Sequence, residues 1–206
     1  AVLCFVTIFA GSFLAKSPKA EDSALLPAAK SKASKSGGDV PTGQMIRSPI
    51  FWLYFIVSGF FASVGITLLN HASPIMTEEL AMDAGTAAII VSVIAVSNGA
   101  GRLFGGVTYD KIGMKKTLAI LSLAMAATTV ALYTAIVSKS SALFIGAACC
   151  GMVLFGVNAT TILTIVRELF GSKYFSLNYS IISINAIIYA SMPSVIGGIR
   201  TATGNY

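Results

Sequence analysis

The residue of this sequence best placed to do chemistry is an arginine inside an apolar stretch. Arg102 follows Asn98 by one helical turn and lies about seven residues before a polar turn, which in a helix places it roughly 10 Å inside the apolar layer. A charge there costs at least about 2.5–3.5 kcal/mol, so the side chain must face protein or water and have a partner. One interpretation is that its guanidinium fork holds a carboxylate, to which it can donate two parallel hydrogen bonds. The other is that it reaches the membrane surface or pairs with charges around Asp110.

A charged turn follows this arginine, and it has two interpretations. Its members are Gly106, Asp110, Lys111, Gly113, Lys115 and Lys116. An aspartate near a helix end can lock against a basic residue or a helix N-terminus across a bundle, which would make the turn a two-state latch. A simpler interpretation is a tight turn whose lysines fix the membrane topology. That interpretation leaves Asp110 and the glycine spacing unexplained, and we therefore favour the gate.

Three asparagines in apolar stretches are further candidates for contact with a substrate. They are Asn98, Asn158 and Asn185. In membranes a side-chain amide also forms hydrogen bonds between neighbouring helices, so both interpretations stay open for each of them. Gly101 and Gly105 form a GxxxG step, which predicts the close approach of a second helix beside Arg102.

The composition indicates that membrane helices must position these residues. The chain is 55% hydrophobic and 11% charged, with a mean hydropathy of +0.82. A soluble domain would have about 25% charged residues. The apolar runs are continuous and about 20 residues long, whereas a membrane β-barrel shows alternating segments of about ten residues. The sequence therefore predicts an all-α, multi-pass integral membrane protein.

Five apolar segments are long enough to cross a lipid bilayer, and a shorter one precedes them. The predicted spans are 49–69, 85–108, 117–137, 142–166 and 178–199. Residues 1–14 are apolar but too short to span about 30 Å of hydrocarbon. This stretch has no initiating methionine and no basic n-region, so we expect the last part of a helix, not a signal peptide, and a chain that is a fragment.

The residues between this partial helix and the first span have a different composition. They are rich in Pro, Ser, Gly and Ala, and they carry six basic residues. Such a sequence cannot bury a core, so we expect a flexible connector over residues 15–48 and a helical bundle over 49–206.

The basic residues determine the predicted orientation. With alternating spans, the connector and the turns at 110–116 and 167–173 lie on one side and hold 11 of the 14 basic residues. The positive-inside rule makes this side cytoplasmic. Topology thus explains the net charge of +6, and we expect no nucleic-acid partner.

The spacing of potential metal ligands and catalytic groups excludes other classes of function. Cys4, Cys149 and Cys150 show no CxxC or Cys/His spacing, and His71 is the sole histidine. We therefore expect no metal site, no disulfide framework and no cofactor. Paired catalytic carboxylates and a Ser/His set do not occur within the predicted spans, so we expect no enzymatic activity.

The charged turn resembles a loop motif of the major facilitator superfamily. From Gly106 it reads Gly-x-x-x-Asp-Lys-x-Gly-x-Lys-Lys, and it departs from the motif at Met114, where a basic residue is usual. The resemblance implies the C-terminal bundle of a twelve-helix transporter. Residues 1–14 would end the sixth helix, the five spans would be helices seven to eleven, and the twelfth would be missing. The partner would be the N-terminal six-helix half of the same protein.

Several further strings look like the oxalate/formate antiporter family, which exchanges small carboxylates. They lie at 98–113, 167–175, 178–180 and 202–206. The resemblance implies that Arg102 binds the substrate carboxylate. In the oxalate exchanger a lysine of the eleventh helix supplies a second cation, but residues 183–188 here contain no lysine. A monocarboxylate is therefore favoured over a dicarboxylate.

Together these features predict a secondary active transporter of a small organic anion, a monocarboxylate first of all. It would work by alternating access as an antiporter or an ion-coupled symporter in the plasma or inner membrane. Two alternatives stay open. One is a carrier or exporter of a neutral solute or drug, in which Arg102 is structural; the other is a non-transporting sensor on the same fold.

Overall fold

The computed structural model describes residues 38–204, and all regular structure in that range is helical. The helices are α1 (Thr42–Arg47), α2 (Pro49–Pro74), α3 (Ala84–Val137), α4 (Ser141–Phe170), α5 (Phe175–Ser183) and α6 (Ala186–Thr203). A five-residue π-helix, Ile75–Glu79, continues α2. This architecture confirms the all-α prediction.

The helix ends follow from local sequence. Pro49 occupies the first turn of α2, where its missing N–H costs nothing. The Asp83 carboxylate accepts a hydrogen bond from the Thr86 N–H at 3.1 Å and caps α3. The Ser140 hydroxyl caps α4 by accepting from the Leu143 N–H at 3.4 Å. Helix α4 ends at Phe170 and is followed by Gly171, whose φ of 79° is a backbone conformation that favours glycine.

Helix α3 consists of two arms that fold back on each other. Its 54 residues would reach about 81 Å if straight, far more than the roughly 30 Å of a bilayer core. Gly113, with φ 76° and ψ 170°, breaks the helical geometry. Ala87 and Ala135 lie near opposite ends of α3 yet pack in one buried cluster. We call residues 84–112 the first arm and residues 114–137 the second arm.

Four helical segments are long and apolar enough to cross a membrane: Pro49–Glu79, Ala84–Val137, Ser141–Phe170 and Phe175–Thr203. Because Ala84–Val137 contains two arms, these segments account for the five predicted crossings. The last one is not continuous. Its helix breaks at Ile184 and Asn185, where the Asn185 N–H bonds the Ile182 carbonyl at 3.0 Å, and then resumes as α6.

Two buried clusters occupy the two ends of the described bundle. The motif-end cluster lies near the Gly113 turn and contains Met45, Phe51, Tyr54, Tyr109, Ile165, Val166, Phe170 and Ile182. The far-end cluster contains Leu68, Ala72, Ile75, Met76, Leu80, Ala87, Ile94, Ala135, Phe144, Ala148 and Met152. Segments that the alternating topology assigns to one side therefore pack at one end.

The end of the predicted flexible connector is folded. Asp39 accepts hydrogen bonds from the backbone N–H groups of Ser172 and Lys173 at 3.2 and 3.0 Å. The Thr42 hydroxyl donates to the Asn178 side chain at 2.7 Å, and Met45 is fully buried. The prediction of a flexible connector is therefore wrong for residues 38–48. Residues 1–37, which hold the predicted partial helix and the rest of the connector, lie outside the described residues.

Candidate functional site

Close contact between the first arm of α3 and α4 sets the geometry around Arg102. A Cβ atom at Gly101 would collide with the Val153 carbonyl oxygen, and one at Gly105 with the Thr160 hydroxyl. On α4, a Cβ atom at Gly156 would collide with the Asn98 carbonyl oxygen. Three glycines thus let the two backbones meet, and the prediction that the GxxxG step packs against a second helix is confirmed.

This packing leaves Arg102 on the exposed side of the first arm. Gly101 and Gly105 are buried against α4, whereas Arg102 is exposed on the surface of the bundle. Its Nε donates a hydrogen bond to the Asn98 Oδ1 at 3.1 Å. Among residues 38–204, no carboxylate forms an ion pair with Arg102. Asn98 therefore orients the guanidinium group and leaves the N–H groups of its two terminal nitrogens for another acceptor.

The other two predicted substrate contacts are not equally placed. Asn158 is buried on α4, two residues beyond the glycine that packs against the Asn98 turn. Asn185 is also buried, and its Nδ2 donates to the Ser58 hydroxyl at 2.8 Å. The structure thus brings Asn98 and Arg102 together, while the Asn185 amide joins the start of α6 to α2. Substrate contact by Asn158 and Asn185 stays a prediction.

The predicted gating motif surrounds the turn between the two arms of α3. Its members Gly106, Asp110, Lys111, Gly113, Lys115 and Lys116 are all exposed. Gly113 makes the turn, because its positive φ is strained for other residues. Asp110 has no ion-pair partner within the part of the chain that the structure describes. A latch across the bundle stays a prediction.

Sequence patterns gave no signal for several long-range contacts. The Tyr109 hydroxyl donates to the Glu168 carboxylate and joins α3 to α4 at the motif end. At the other end of the bundle, Glu78 forms an ion pair with Arg200. The partners in each pair are far apart along the chain, so no local spacing marks them.

Among the described side chains, Arg102 could bind an anion, whereas no cluster of side chains is suited to bind a metal ion. No group of three or more His, Cys, Asp or Glu residues within 38–204 is placed to hold a metal ion. The other described basic residues lie in turns or at helix ends: Arg47, Lys111, Lys115, Lys116, Lys139, Arg167, Lys173 and Arg200. Arg102 is therefore the one described cation well inside an apolar arm.

The sequence of this chain is similar to those of known membrane transporters. The family profile described as Major Facilitator Superfamily matches residues 1–196. The chain is 28% identical over 151 residues to the oxalate:formate antiporter of Oxalobacter formigenes, covering 73% of this chain and 36% of that protein. It is 24% identical over 182 residues to the uncharacterized MFS-type transporter YhjX of Escherichia coli (strain K12), covering 88% of this chain and 43% of that protein. The match thus spans less than half the length of either relative. No solved structure matches the chain.

Proposed function

This chain belongs to the Major Facilitator Superfamily, and from that premise we propose that it is part of a secondary transporter for small monocarboxylates. The protein is a multi-pass membrane protein. Residues 49–206 would supply helices seven to eleven of a twelve-helix fold, and residues 1–14 would end helix six. The rest of the site would come from an N-terminal six-helix half, and transport would proceed by rocking of the two halves about a central site.

The observation that carries the proposal is the placement of Arg102. Its guanidinium group lies on the exposed side of the first arm, is oriented by Asn98 and has no carboxylate partner among residues 38–204. A charged group at this depth is too costly to face lipid, so it must meet protein, water or a ligand. A substrate carboxylate satisfies both the charge and the two-pronged geometry of the donors.

The number of cations favours a singly charged substrate. The printed name of one relative assigns oxalate and formate to that protein, and this motivates a small carboxylate here. Within the apolar arms of the described bundle, Arg102 is the one basic residue. Residues 183–188, the region in which the resemblance would put a second cation, contain no lysine. The Asn185 amide in this region already bonds Ser58. One cation and polar amides suit formate, lactate or pyruvate better than oxalate.

The turn between the arms would gate access to this site. Asp110 and its neighbouring lysines are exposed and without ion-pair partners in the described region, so they are available to a partner on the N-terminal half. The basic residues at the motif end support a cytoplasmic location for that end, and the membrane would be a plasma or inner membrane.

A counterflow experiment with the full-length protein in liposomes tests this proposal. Labelled formate, lactate and pyruvate should exchange faster than oxalate. Arg102→Gln should abolish that exchange, because the variant removes the charge and the fork while keeping polar length. Lys139→Gln, which removes an exposed charge outside the apolar arms, is the matched control and should exchange normally.

Two results would contradict the proposal. If Arg102→Gln exchanges carboxylates as well as the control, Arg102 is structural and a neutral solute becomes the better candidate. If the wild-type protein moves no carboxylate or neutral solute, a non-transporting sensor on the same fold is the better interpretation.

A further inference from the structure

The exposed surface of the first arm of α3 has two faces of different character. Bulky apolar side chains cover one face, at Ile89, Val93, Val96, Leu103, Phe104 and Val107. The other face carries Arg102, and its remaining exposed members are small: Ser92, Ala95, Gly99 and Gly106. These members follow one another at intervals of three or four residues, which places them along one side of a helix. The bulky face is suited to lipid, whereas the face that carries the charge must meet protein, water or a ligand.

The guanidinium group of Arg102 lies over the helical turn that precedes it. Side chains of a helix lean toward its N-terminus, and the Arg102 Nε donates to the Asn98 Oδ1 at 3.1 Å. On this turn Asn98 lies to one side of Arg102 and Gly99 to the other, because successive residues are about 100° apart around a helix. A polar side chain therefore occupies one flank of the guanidinium group, and the other flank has only the backbone of a glycine.

Gly99 leaves this second flank open. Apart from its own stretch of helix, no atom of the described residues lies within 4 Å of the position that a Cβ atom at Gly99 would take. Gly101 and Gly105 lack side chains because α4 lies against them, but Gly99 has no such neighbour within the described bundle. Glycine weakens a helix relative to alanine, so packing among the described residues gives no reason for it here. A ligand that needs the space beside Arg102 supplies that reason.

We propose that Gly99 determines which carboxylates fit beside Arg102. The substrate carboxylate accepts hydrogen bonds from the two terminal nitrogens of the guanidinium group, and the rest of the substrate lies over Gly99. The bare backbone admits the two additional carbons of lactate or pyruvate, whereas a methyl group at this position leaves room for formate alone. This inference rests on the proposed function and adds the residue that limits the size of its substrate.

Counterflow by the full-length protein in liposomes tests this role of Gly99. Gly99→Ala should lower the rate of lactate exchange relative to formate exchange by at least about tenfold, the discrimination that one methylene group gives in other pockets. Gly146→Ala is the matched control, because it adds the same methyl group to an exposed glycine of α4 that also has nothing within 4 Å. Its lactate-to-formate ratio should equal that of the wild type.

Three outcomes of this experiment would overturn the proposal. The first is an equal lactate-to-formate ratio in Gly99→Ala and Gly146→Ala. The second is an equal loss of lactate and formate exchange in Gly99→Ala, because a general loss shows no selection by size. The third is poor folding of Gly99→Ala while Gly146→Ala folds, because packing in the complete protein would then require the glycine.

Thiol labelling examines the same flank without a transported substrate. In a full-length protein whose cysteines are replaced by alanine, Gly99→Cys should react with anionic sulfonatoethyl methanethiosulfonate faster than with cationic trimethylammonioethyl methanethiosulfonate. The expected difference is at least about tenfold, because Arg102 raises the local concentration of the anion. Adding Arg102→Gln should remove this preference. Val96→Cys, on the bulky face, should react with neither reagent.

The two experiments separate this inference from the proposed function. If exchange depends on Arg102 but Gly99→Ala keeps the wild-type lactate-to-formate ratio, the role of Gly99 is wrong and the transport proposal stands. If no carboxylate is exchanged but labelling at position 99 prefers the anion, the transport proposal is wrong and the open flank that receives an anion stands. If neither exchange nor the preference is observed, both are wrong.

Discussion

Helix α4 and the segment Phe175–Thr203, which ends with α6, are both apolar enough to cross a membrane, but the bundle holds α4 and α6 in different ways. Twelve residues of α4 are buried, and glycines let its backbone meet the first arm of α3. No residue of α6, Ala186–Thr203, is buried within the described structure. It contacts α2 where the Ile188 side chain lies against Gly59, at 3.0 Å from the place of an added Cβ atom, and where His71 and the Pro193 carbonyl are 3.0 Å apart. Arg200 of α6 also forms an ion pair with Glu78 of the π-helix that continues α2.

This difference illustrates how helices associate in a membrane, where the hydrophobic effect does not drive them together because the lipid tails are also apolar. Three glycines allow close van der Waals contact along the α3–α4 seam, whereas one glycine contact, at Gly59, and a few polar contacts hold α6 to α2. The seam therefore makes a rigid support for Arg102.

Filling the seam should have the largest effect on stability. Gly101→Ala places a methyl group against the Val153 carbonyl oxygen and should destabilise the protein by about 1–3 kcal/mol. Gly99→Ala is the matched control, because nothing lies within 4 Å of its added Cβ. The control should be neutral or gain up to about 1 kcal/mol in helix propensity. Unfolding in detergent measures the stability of both variants. Equal stability of the two would contradict close packing along the α3–α4 seam.

Cutting one polar attachment should have a smaller effect. The Asn185–Ser58 hydrogen bond holds the break between α5 and α6 against α2. A double-mutant cycle with Asn185→Ala and Ser58→Ala should give a coupling energy of about 0.6 kcal/mol and no more than about 1.7, as for other interhelical hydrogen bonds in membranes. A coupling energy indistinguishable from zero would show that this hydrogen bond does not stabilise the contact with α2.

Removing the ion pair at the far end should have the smallest effect. The side chains of Glu78 and Arg200 are 45% and 37% exposed, so their attraction is screened. A double-mutant cycle with Glu78→Gln and Arg200→Gln should give a coupling energy below about 1 kcal/mol that falls further in high salt. A coupling larger than that of Asn185 with Ser58 would reverse the order of the two attachments.

The sequence predicted those parts of the fold that rest on local patterns. Continuous apolar runs marked the spans, and the spacing around Gly113 marked the turn between the arms of α3. The GxxxG step at Gly101 and Gly105 identified a close helix contact, because backbone approach depends directly on side-chain size. The identity of the facing helix depended on tertiary structure.

The connector was mispredicted because polar contacts with distant residues, together with the buried side chain of Met45, hold its end. Asp39 bonds a turn 133 and 134 residues away, and Thr42 bonds Asn178 across 136 residues. Tyr109 and Glu168 are 59 residues apart. Composition and periodicity describe short windows, so they carry no information on such partners.

The central claim is that Arg102 binds a monocarboxylate, and ligand-dependent unfolding of the purified full-length protein tests it most directly. Lactate at about 100 times its dissociation constant should stabilise the wild-type protein and Lys139→Gln by about 2.7 kcal/mol. Arg102→Lys should retain part of this effect, because the charge remains and the two-pronged geometry is lost. Arg102→Gln should fold and show no stabilisation. An unchanged response to lactate in folded Arg102→Gln would contradict the claim.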